Sequence, residues 1–139
     1  MKFKSLYYIL FNAITDAVRC IDDGDILASP VYCANISATM QAFLERAAVV
    51  CDMNPALLKH KVGVSVVSSR RGGALNAIDA MNHFFLNHEM FVAGSTYWNM
   101  AYGQMPGDVL EDAEGLANMD NVAENIIWYL ENVKRGGSK

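Results

Sequence analysis

Residues 62–69 read Val-Gly-Val-Ser-Val-Val-Ser-Ser, a run dense in β-branched side chains that lies between Lys61 and Arg70. A short run that is apolar at so many successive positions is typical of a strand buried on both faces of a sheet. Such a strand needs helices above and below it. The segment therefore predicts the central strand of an α/β domain.

The neighbouring segments alternate between strand and helix patterns. Asp25–Ser29 and Met90–Gly94 are short apolar runs that predict strands. Four segments predict helices because apolar residues recur in them every three or four positions: residues 3–21, Ser37–Val50, Ala74–His88, and Leu116 or Ala117 to Val133. The last of these helices is predicted to bury Met119, Val122, Ile126, Leu130 and Val133. Residues 95–112 lack either period and predict a long loop. This alternation implies right-handed crossovers and an open parallel sheet with helices on both faces, in one domain spanning residues 1–139.

Composition limits the partners that such a domain can have. The net charge is −4, so no global positive field attracts nucleic acid, and no apolar run approaches the roughly 20 residues that span a bilayer. Hydrophobic residues make up 53% of the chain, which favours a homo-oligomer with an extensive interface. The three cysteines show no CxxC spacing, which fits a reducing cytoplasm and no cysteine metal cluster.

Three loops follow three predicted strands and should lie along one edge of the sheet. They are Ser29–Asn35, Ser69–Gly73 and Ser95–Gln104. In open α/β sheets the carboxyl ends of the strands form the binding crevice. We therefore expect any ligand to lie there.

The first two loops carry groups that suit a flat or anionic ligand. Ser29-Pro30-Val31-Tyr32 offers backbone N–H groups, a hydroxyl and a phenol ring, although an ordinary turn with proline setting φ explains it equally well. Ser69-Arg70-Arg71-Gly72-Gly73 offers a hydroxyl, two permanent cations and two glycines at the start of a helix. Its alternative interpretation is a solvated basic turn.

The remaining polar and aromatic residues are interpreted more conservatively. Three interpretations of Tyr97 and Trp98 are open: a lid over a flat cofactor, a contact between two subunits of a dimer, or packing against their own domain. The three histidines do not have metal-site spacing, so no metal site is predicted. Acidic residues near Asp108 and Asp112 fit the start of a helix. Cys33 is interpreted as a small buried side chain, and no catalytic residue is assigned.

These motifs, taken in order, resemble the NADPH-dependent FMN reductase and iron-sulfur flavoprotein family. The resemblance rests on Ser29–Tyr32 with Phe43–Arg46, on Ser69–Gly73, on Gly94–Asn99 and on Gly107–Gly115, and it runs from about Asn12 to the end of the chain. Each motif alone is weak, whereas their order and spacing are specific.

The resemblance implies a flavodoxin-like fold, non-covalently bound FMN, NAD(P)H as electron donor, and a protein or small molecule as electron acceptor. It also implies a homodimer or homotetramer. The residues that it places against FMN are Ser29, Pro30, Val31, Tyr32, Cys33, Ala34 and Asn35 of the first loop and Ser69, Arg70, Arg71, Gly72 and Gly73 of the second, with Tyr97 and Trp98 near the flavin or at the subunit contact.

The sequence departs from the family at its amino terminus. Relatives begin with a strand, a Gly/Ser/Thr-rich loop that holds the FMN phosphate, and a helix, and this unit is missing here. Hydrogen bonds to a charged group contribute about 1.5 to 3 kcal/mol each, so losing two would weaken FMN binding by about a hundredfold to ten-thousandfold. The cysteine cluster of the iron-sulfur members would lie in the same missing unit.

The departure leaves two functional hypotheses. One is an FMN reductase-like oxidoreductase, and the other is a non-enzymatic or partner-dependent fragment that binds FMN weakly or not at all. In the flavodoxin-like strand order the missing strand is the neighbour of Asp25–Ser29, so this edge should be bare. Phe3–Phe11, another subunit or a separately encoded partner would then cover it. The alternative is that the sequence is a truncated reading frame.

Overall fold

A computed structural model describes residues 23–134, so the helix predicted over residues 3–21 lies outside the described residues. The elements follow in the order β1 (Gly24–Pro30), α1 (Ala38–Met53), β2 (Val62–Ser69), α2 (Ala74–Asn87), β3 (Phe91–Val92), β4 (Met100–Tyr102), a 3₁₀ helix (Asp108–Glu111) and α3 (Ala113–Tyr129), which continues as a π-helical turn over Leu130–Lys134. Among the described residues no helix combines the length and the apolarity needed to cross a membrane.

The sheet is parallel throughout and is centred on β2. On one side β2 pairs with β1, from Gly24 opposite Val62 to Pro30 opposite Ser68. On its other side it pairs first with β3 and then with β4. Because helices cover the sheet from both sides, the predicted α/β architecture and the central position of residues 62–69 are confirmed.

The third strand is split in two, which the sequence pattern did not predict. Phe91 and Val92 pair with Val62 and Gly63, and the ladder resumes where Met100 pairs with Val67. Eight residue steps separate Val92 from Met100, whereas four separate Gly63 from Val67. The chain therefore leaves the sheet over residues 93–99 and returns. The strand predicted over Met90–Gly94 is real but shorter, and the region predicted as a loop contains β4 and a 3₁₀ helix.

Helices α1 and α2 cover one face of the sheet and enclose the main core. Gly63 lies beneath α2, and a Cβ atom there would stand 2.5 Å from the Phe85 ring, so the close approach of strand and helix requires glycine. The fully buried side chains Met81 and Phe85 pack in this layer with Val50 and Leu58. Met81 and Phe85 lie on the apolar face of the helix predicted over Ala74–His88, whereas Leu58 lies between α1 and β2.

Helix α3 covers the opposite face above β2 and β4. Val122 is buried there, as predicted, and Met119, Ile126 and Leu130 are half-buried. Val133 was predicted to be buried but is 44% exposed. The reason is geometric: the Tyr129 hydroxyl already donates to the carbonyl of His60, just ahead of β2, so the chain beyond Tyr129 runs past the amino-terminal end of the sheet.

Candidate functional site

The first two predicted loops leave the sheet side by side. The N–H of Val31 donates to the carbonyl of Ser68 at 2.9 Å, which extends the pairing of β1 and β2 one residue beyond β1. Ser29–Asn35 and Ser69–Gly73 therefore start as neighbours at the carboxyl edge of the sheet. This is the arrangement expected from the strand order.

The first loop is a tight turn with unusual backbone angles. Tyr32 and Asn35 exchange two backbone hydrogen bonds, of 2.9 and 3.0 Å, and between them Cys33 and Ala34 have φ values of +50° and +58°. Left-handed angles cost non-glycine residues about 1 to 2 kcal/mol each, and such strain concentrates at functional sites. The turn holds Tyr32 outward, with 64% of its surface exposed. Cys33 is also exposed, so its interpretation as a buried side chain was wrong: it lies at the tip of the turn.

The two serines of the predicted site, Ser29 and Ser69, are buried and form hydrogen bonds within the protein. Ser29 is 4% exposed; its hydroxyl accepts from the N–H of Ser37 and donates to the carbonyl of Pro30. Ser69 is 5% exposed, and its hydroxyl donates to the carbonyl of Arg71. Both hydroxyls are thus engaged within the protein, whereas Arg70 and Arg71 are exposed.

The two loops touch each other at Gly73. This residue has φ +90°, and a Cβ atom added to it would lie 2.7 Å from both Cα and Cβ of Ala34. The tip of the strained turn therefore rests on the glycine that starts α2. Gly73 supplies no side-chain cap, so the first N–H groups of α2 lack the partner that a capping side chain would give them.

A third segment closes the site beyond the arginines. The N–H of Gly103 donates to the carbonyl of Ser69, which brings the chain after β4 beside the second loop. Arg70 and Arg71 border a cavity of about 500 Å³ together with Tyr102, Gln104 and Asp108. The cavity combines two guanidinium groups, a phenol ring and a carboxylate.

Two carboxylates fix this third segment. Asp112 accepts from the N–H of Tyr102 at 2.7 Å and from the N–H of Gly115 at 3.0 Å, and these bonds hold the pKa of its carboxyl below the usual range. Asp108 accepts from the N–H groups of Met105 and Gln104, which likewise lower its pKa. Sequence reasoning assigned these acids only to a helix start, but Asp112 also anchors β4 to α3.

Tyr97 and Trp98 do not line the cavity beside the arginines. They belong to the excursion between β3 and β4, where their rings meet at a centroid distance of 4.5 Å, and they line a separate cavity of about 390 Å³ beside Ile78 and Asn82 of α2. This cavity shares no lining residue with the one at the arginines. Of the loop predicted over Ser95–Gln104, Tyr102, Gly103 and Gln104 line the cavity beside the arginines.

The geometry suits the binding of a planar, polar ring rather than acid–base chemistry. Its features are an exposed phenol, two adjacent cations, backbone N–H groups at a helix start, and a firm contact between the loops. Such groups orient and polarise a ligand, as a protein does for a redox cofactor.

Comparison with known proteins agrees with this geometry. Residues 11–104 match the NADPH-dependent FMN reductase family. An iron-sulfur flavoprotein from Methanocaldococcus jannaschii is 32% identical over 120 residues, covering 81% of this chain and 61% of that protein. One from Methanosarcina thermophila is 32% identical over 120 residues, covering 84% and 61%. The chain thus spans about three fifths of the length of these relatives.

Solved structures show the same fold. The Trp repressor binding protein from Bacillus subtilis superposes with a TM-score of 0.64 at 20% identity, covering 81% of this chain and 74% of that one. A WrbA-like flavodoxin from Agrobacterium tumefaciens gives 0.61 at 23% identity, covering 79% and 71%. The fold is flavodoxin-like, and with more than half of its length matched, the chain belongs to the NADPH-dependent FMN reductase family.

Proposed function

We propose that the edge formed by Ser29–Asn35 and Ser69–Gly73 binds FMN, and that the protein is an oxidoreductase that uses NAD(P)H as electron donor. The observation that carries this proposal is the contact of Ala34 with Gly73, because it joins the two loops into one surface. Family membership supports the choice of cofactor.

The residues at this edge fit the flavin ring. Tyr32 presents a flat, exposed phenol at the turn, against which a planar ring can lie. Arg70 and Arg71 carry donors suited to the carbonyl oxygens and ring nitrogens of the polar edge of a flavin. The first N–H groups of α2, which have no side-chain cap, add further donors beside this loop. No residue among 23–134 is assigned to the phosphate.

FMN, when bound, supplies the two-electron redox chemistry that amino acid side chains lack. The residues of this chain would bind the ring, orient it and set the charge around it. Arginines next to the ring favour a negative charge on it, which raises its affinity for electrons. No side chain is assigned as a proton donor or acceptor in the reaction.

The test is a titration of the purified chain with FMN and, separately, with riboflavin, followed by absorption and flavin fluorescence. If the loops bind the ring and nothing holds the phosphate, the two flavins bind with dissociation constants within about threefold of each other. NADH and NADPH oxidation is then assayed with the flavin-loaded protein. Failure of both flavins to bind at millimolar concentration would refute the proposal.

A second candidate function is that of a partner-dependent fragment that binds FMN weakly or not at all. The exposed face of β1 favours it, because Ile26 is 57% exposed and a parallel sheet normally has both faces covered. Failure of both flavins to bind would favour this candidate.

The wider biological setting is also a proposal. We infer one domain over residues 1–139, a homo-oligomer in the cytoplasm, and an electron acceptor that is a small molecule or a protein. The high apolar content of the chain supports an oligomer.

A further inference from the structure

His88 has a buried ring nitrogen without a hydrogen-bond partner. The residue directly follows α2, and its side chain is 7% exposed. On one side of the ring, Nδ1 lies 2.7 Å from the carbonyl oxygen of Phe84. A carbonyl oxygen can only accept, so Nδ1 carries the proton of this hydrogen bond. On the other side, Nε2 has no hydrogen-bond partner within residues 23–134. Buried polar atoms of this kind are rare in folded proteins and call for an explanation.

A carboxylate faces this nitrogen. Oδ1 of Asp52, in the last turn of α1, lies 3.9 Å from Nε2 of His88, which is too far for a hydrogen bond. In a neutral imidazole whose proton is on Nδ1, Nε2 is an acceptor, and a carboxylate oxygen is an acceptor too. Two acceptors therefore face each other when the ring is neutral. The Asp52 side chain is 70% exposed, so it can change its rotamer and approach the ring.

A second proton on the His88 ring would resolve this arrangement. The charged imidazolium has a donor on each nitrogen, so Nδ1–H keeps its bond to Phe84 and Nε2–H is available to Asp52. The position also favours a cation, because the carboxyl end of a helix carries a partial negative charge. Helices α1 and α2 both end here, and neither has a basic residue in its last turn.

The other titratable groups near the ring do not take the place of Asp52. Cys51 and Glu89 border the same cavity of about 200 Å³. Burial raises the pKa of the Cys51 thiol to about 11, and the charge of Lys61 opposes this increase only in part, so the thiol is neutral. The hydrogen bond from Lys59 lowers the pKa of Glu89, and the two form an ion pair. Among the described residues, Asp52 forms no ion pair other than that with the imidazole.

We propose that His88 and Asp52 form a proton-dependent ion pair that joins the carboxyl ends of α1 and α2. When the ring takes up its second proton, Nε2–H donates to Oδ1 of Asp52, and the two atoms approach to about 2.8 Å. When the ring is neutral, this bond is absent. Because α1 follows the loop Ser29–Asn35 and α2 follows Ser69–Gly73, the pair joins the far ends of the two helices that begin at the candidate site. The proposal does not depend on flavin binding at that site.

The pair should stabilise the fold at low pH and lose this effect as the pH rises, because the folded protein then favours the protonated ring. Histidine side chains generally change charge between about pH 5 and 8, where carboxylates are generally ionised. The test is a double-mutant cycle of Asp52→Asn and His88→Asn, with unfolding by urea measured at about pH 5.5 and about pH 8.5. Asparagine at position 88 keeps an amide donor for Phe84 but has no group in place of Nε2.

We expect the two substitutions to be coupled by about tenfold in the unfolding equilibrium constant at the lower pH and by less than about twofold at the higher pH. The matched control is Asp79→Asn, which removes an exposed carboxylate from α2. It should show no coupling with His88→Asn at either pH. Equal coupling at both pH values, or no coupling of Asp52 and His88 at either, overturns the proposal.

Nitrogen NMR of the His88 ring in the wild-type protein gives a second test that needs no substitution. At the higher pH the ring should carry its proton on Nδ1, and lowering the pH should add a proton to Nε2. A proton on Nε2 at the higher pH would overturn the proposal, because the neutral ring could then already donate to Asp52.

Discussion

The contact of Gly73 with Ala34 gives the sharpest prediction, because its consequence for stability can be worked out from two distances and an angle. In Gly73→Ala the new Cβ would meet Cα and Cβ of Ala34 at 2.7 Å, in a backbone conformation with φ +90°. The angle alone costs about 1 to 2 kcal/mol for a residue with a side chain. Relieving the overlap costs about 1 to 3 kcal/mol more, as overpacking does elsewhere.

We therefore expect Gly73→Ala to lower the free energy of unfolding by about 2 to 5 kcal/mol. Urea denaturation followed by circular dichroism measures this as a lower midpoint at unchanged slope. If the overlap is relieved by moving the turn away from α2, flavin affinity should fall as well, because the two loops then no longer form one surface. The flavin titration described above measures this second effect.

Gly72→Ala is the matched control, one residue earlier in the same loop. A Cβ atom there meets nothing within 4 Å, so its effect on stability should stay within about 0.5 kcal/mol. Equal midpoints for the two variants would refute the reasoning, since it would mean that neither the angle nor the contact with Ala34 constrains the folded state.

Three further predictions concern the same region and the core. Replacing Arg70 and Arg71 together with Ala should weaken flavin binding about tenfold and leave the melting temperature unchanged, because both side chains are exposed; loss of the fold would contradict their placement. Burial, and to a smaller extent the charge of Asp52, raises the pKa of the Cys51 thiol to about 11. Peptide mapping after alkylation at pH 8 should therefore find the exposed Cys33 modified before Cys51. Equal rates of modification would contradict this assignment. The lowered pKa of Asp112 means that its stabilising effect is present above its unfolded value and is lost as the pH falls through the folded one. The midpoint difference between wild type and Asp112→Asn should therefore be constant near neutrality and shrink below about pH 4, and a constant difference down to pH 2 would argue against it.

The long, periodic elements were predictable because their signals are local. Residues 62–69 are bounded as the sequence predicted, and α1 begins after Ser37, whose hydroxyl accepts from the N–H of Met40. β4 was missed because three residues are too few to show a period, and their strand character comes from pairing with Val67–Ser69. The burial of Asn118, whose side chain accepts from the Thr96 hydroxyl, likewise depends on a partner 22 residues away in the chain.

The candidate site was predictable in its location but not in its construction. Strand order alone placed Ser29–Asn35 beside Ser69–Gly73. The left-handed backbone angles of Cys33 and Ala34 could not be predicted from the sequence, because neither residue type favours them. The contact with Gly73, which depends on those angles, could not be foreseen either. Tyr97 and Trp98 line a different cavity from the one beside the arginines, and their position near the flavin or at a subunit contact stays a prediction.

That split has a consequence for how the chain tolerates changes in length. The third strand pairs with β2 at Gly63, through Val92, and again at Val67, through Met100. The residues between Val92 and Met100 can therefore vary in number without shifting the register of the sheet. Doubling the length of a flexible connection costs only about 0.6 kcal/mol. A peptide tag or an epitope can therefore be inserted in the segment around Thr96 with the sheet preserved. The condition is that the insertion leaves two hydrogen bonds intact, from Asn125 to the carbonyl of Gly94 and from the Thr96 hydroxyl to Asn118.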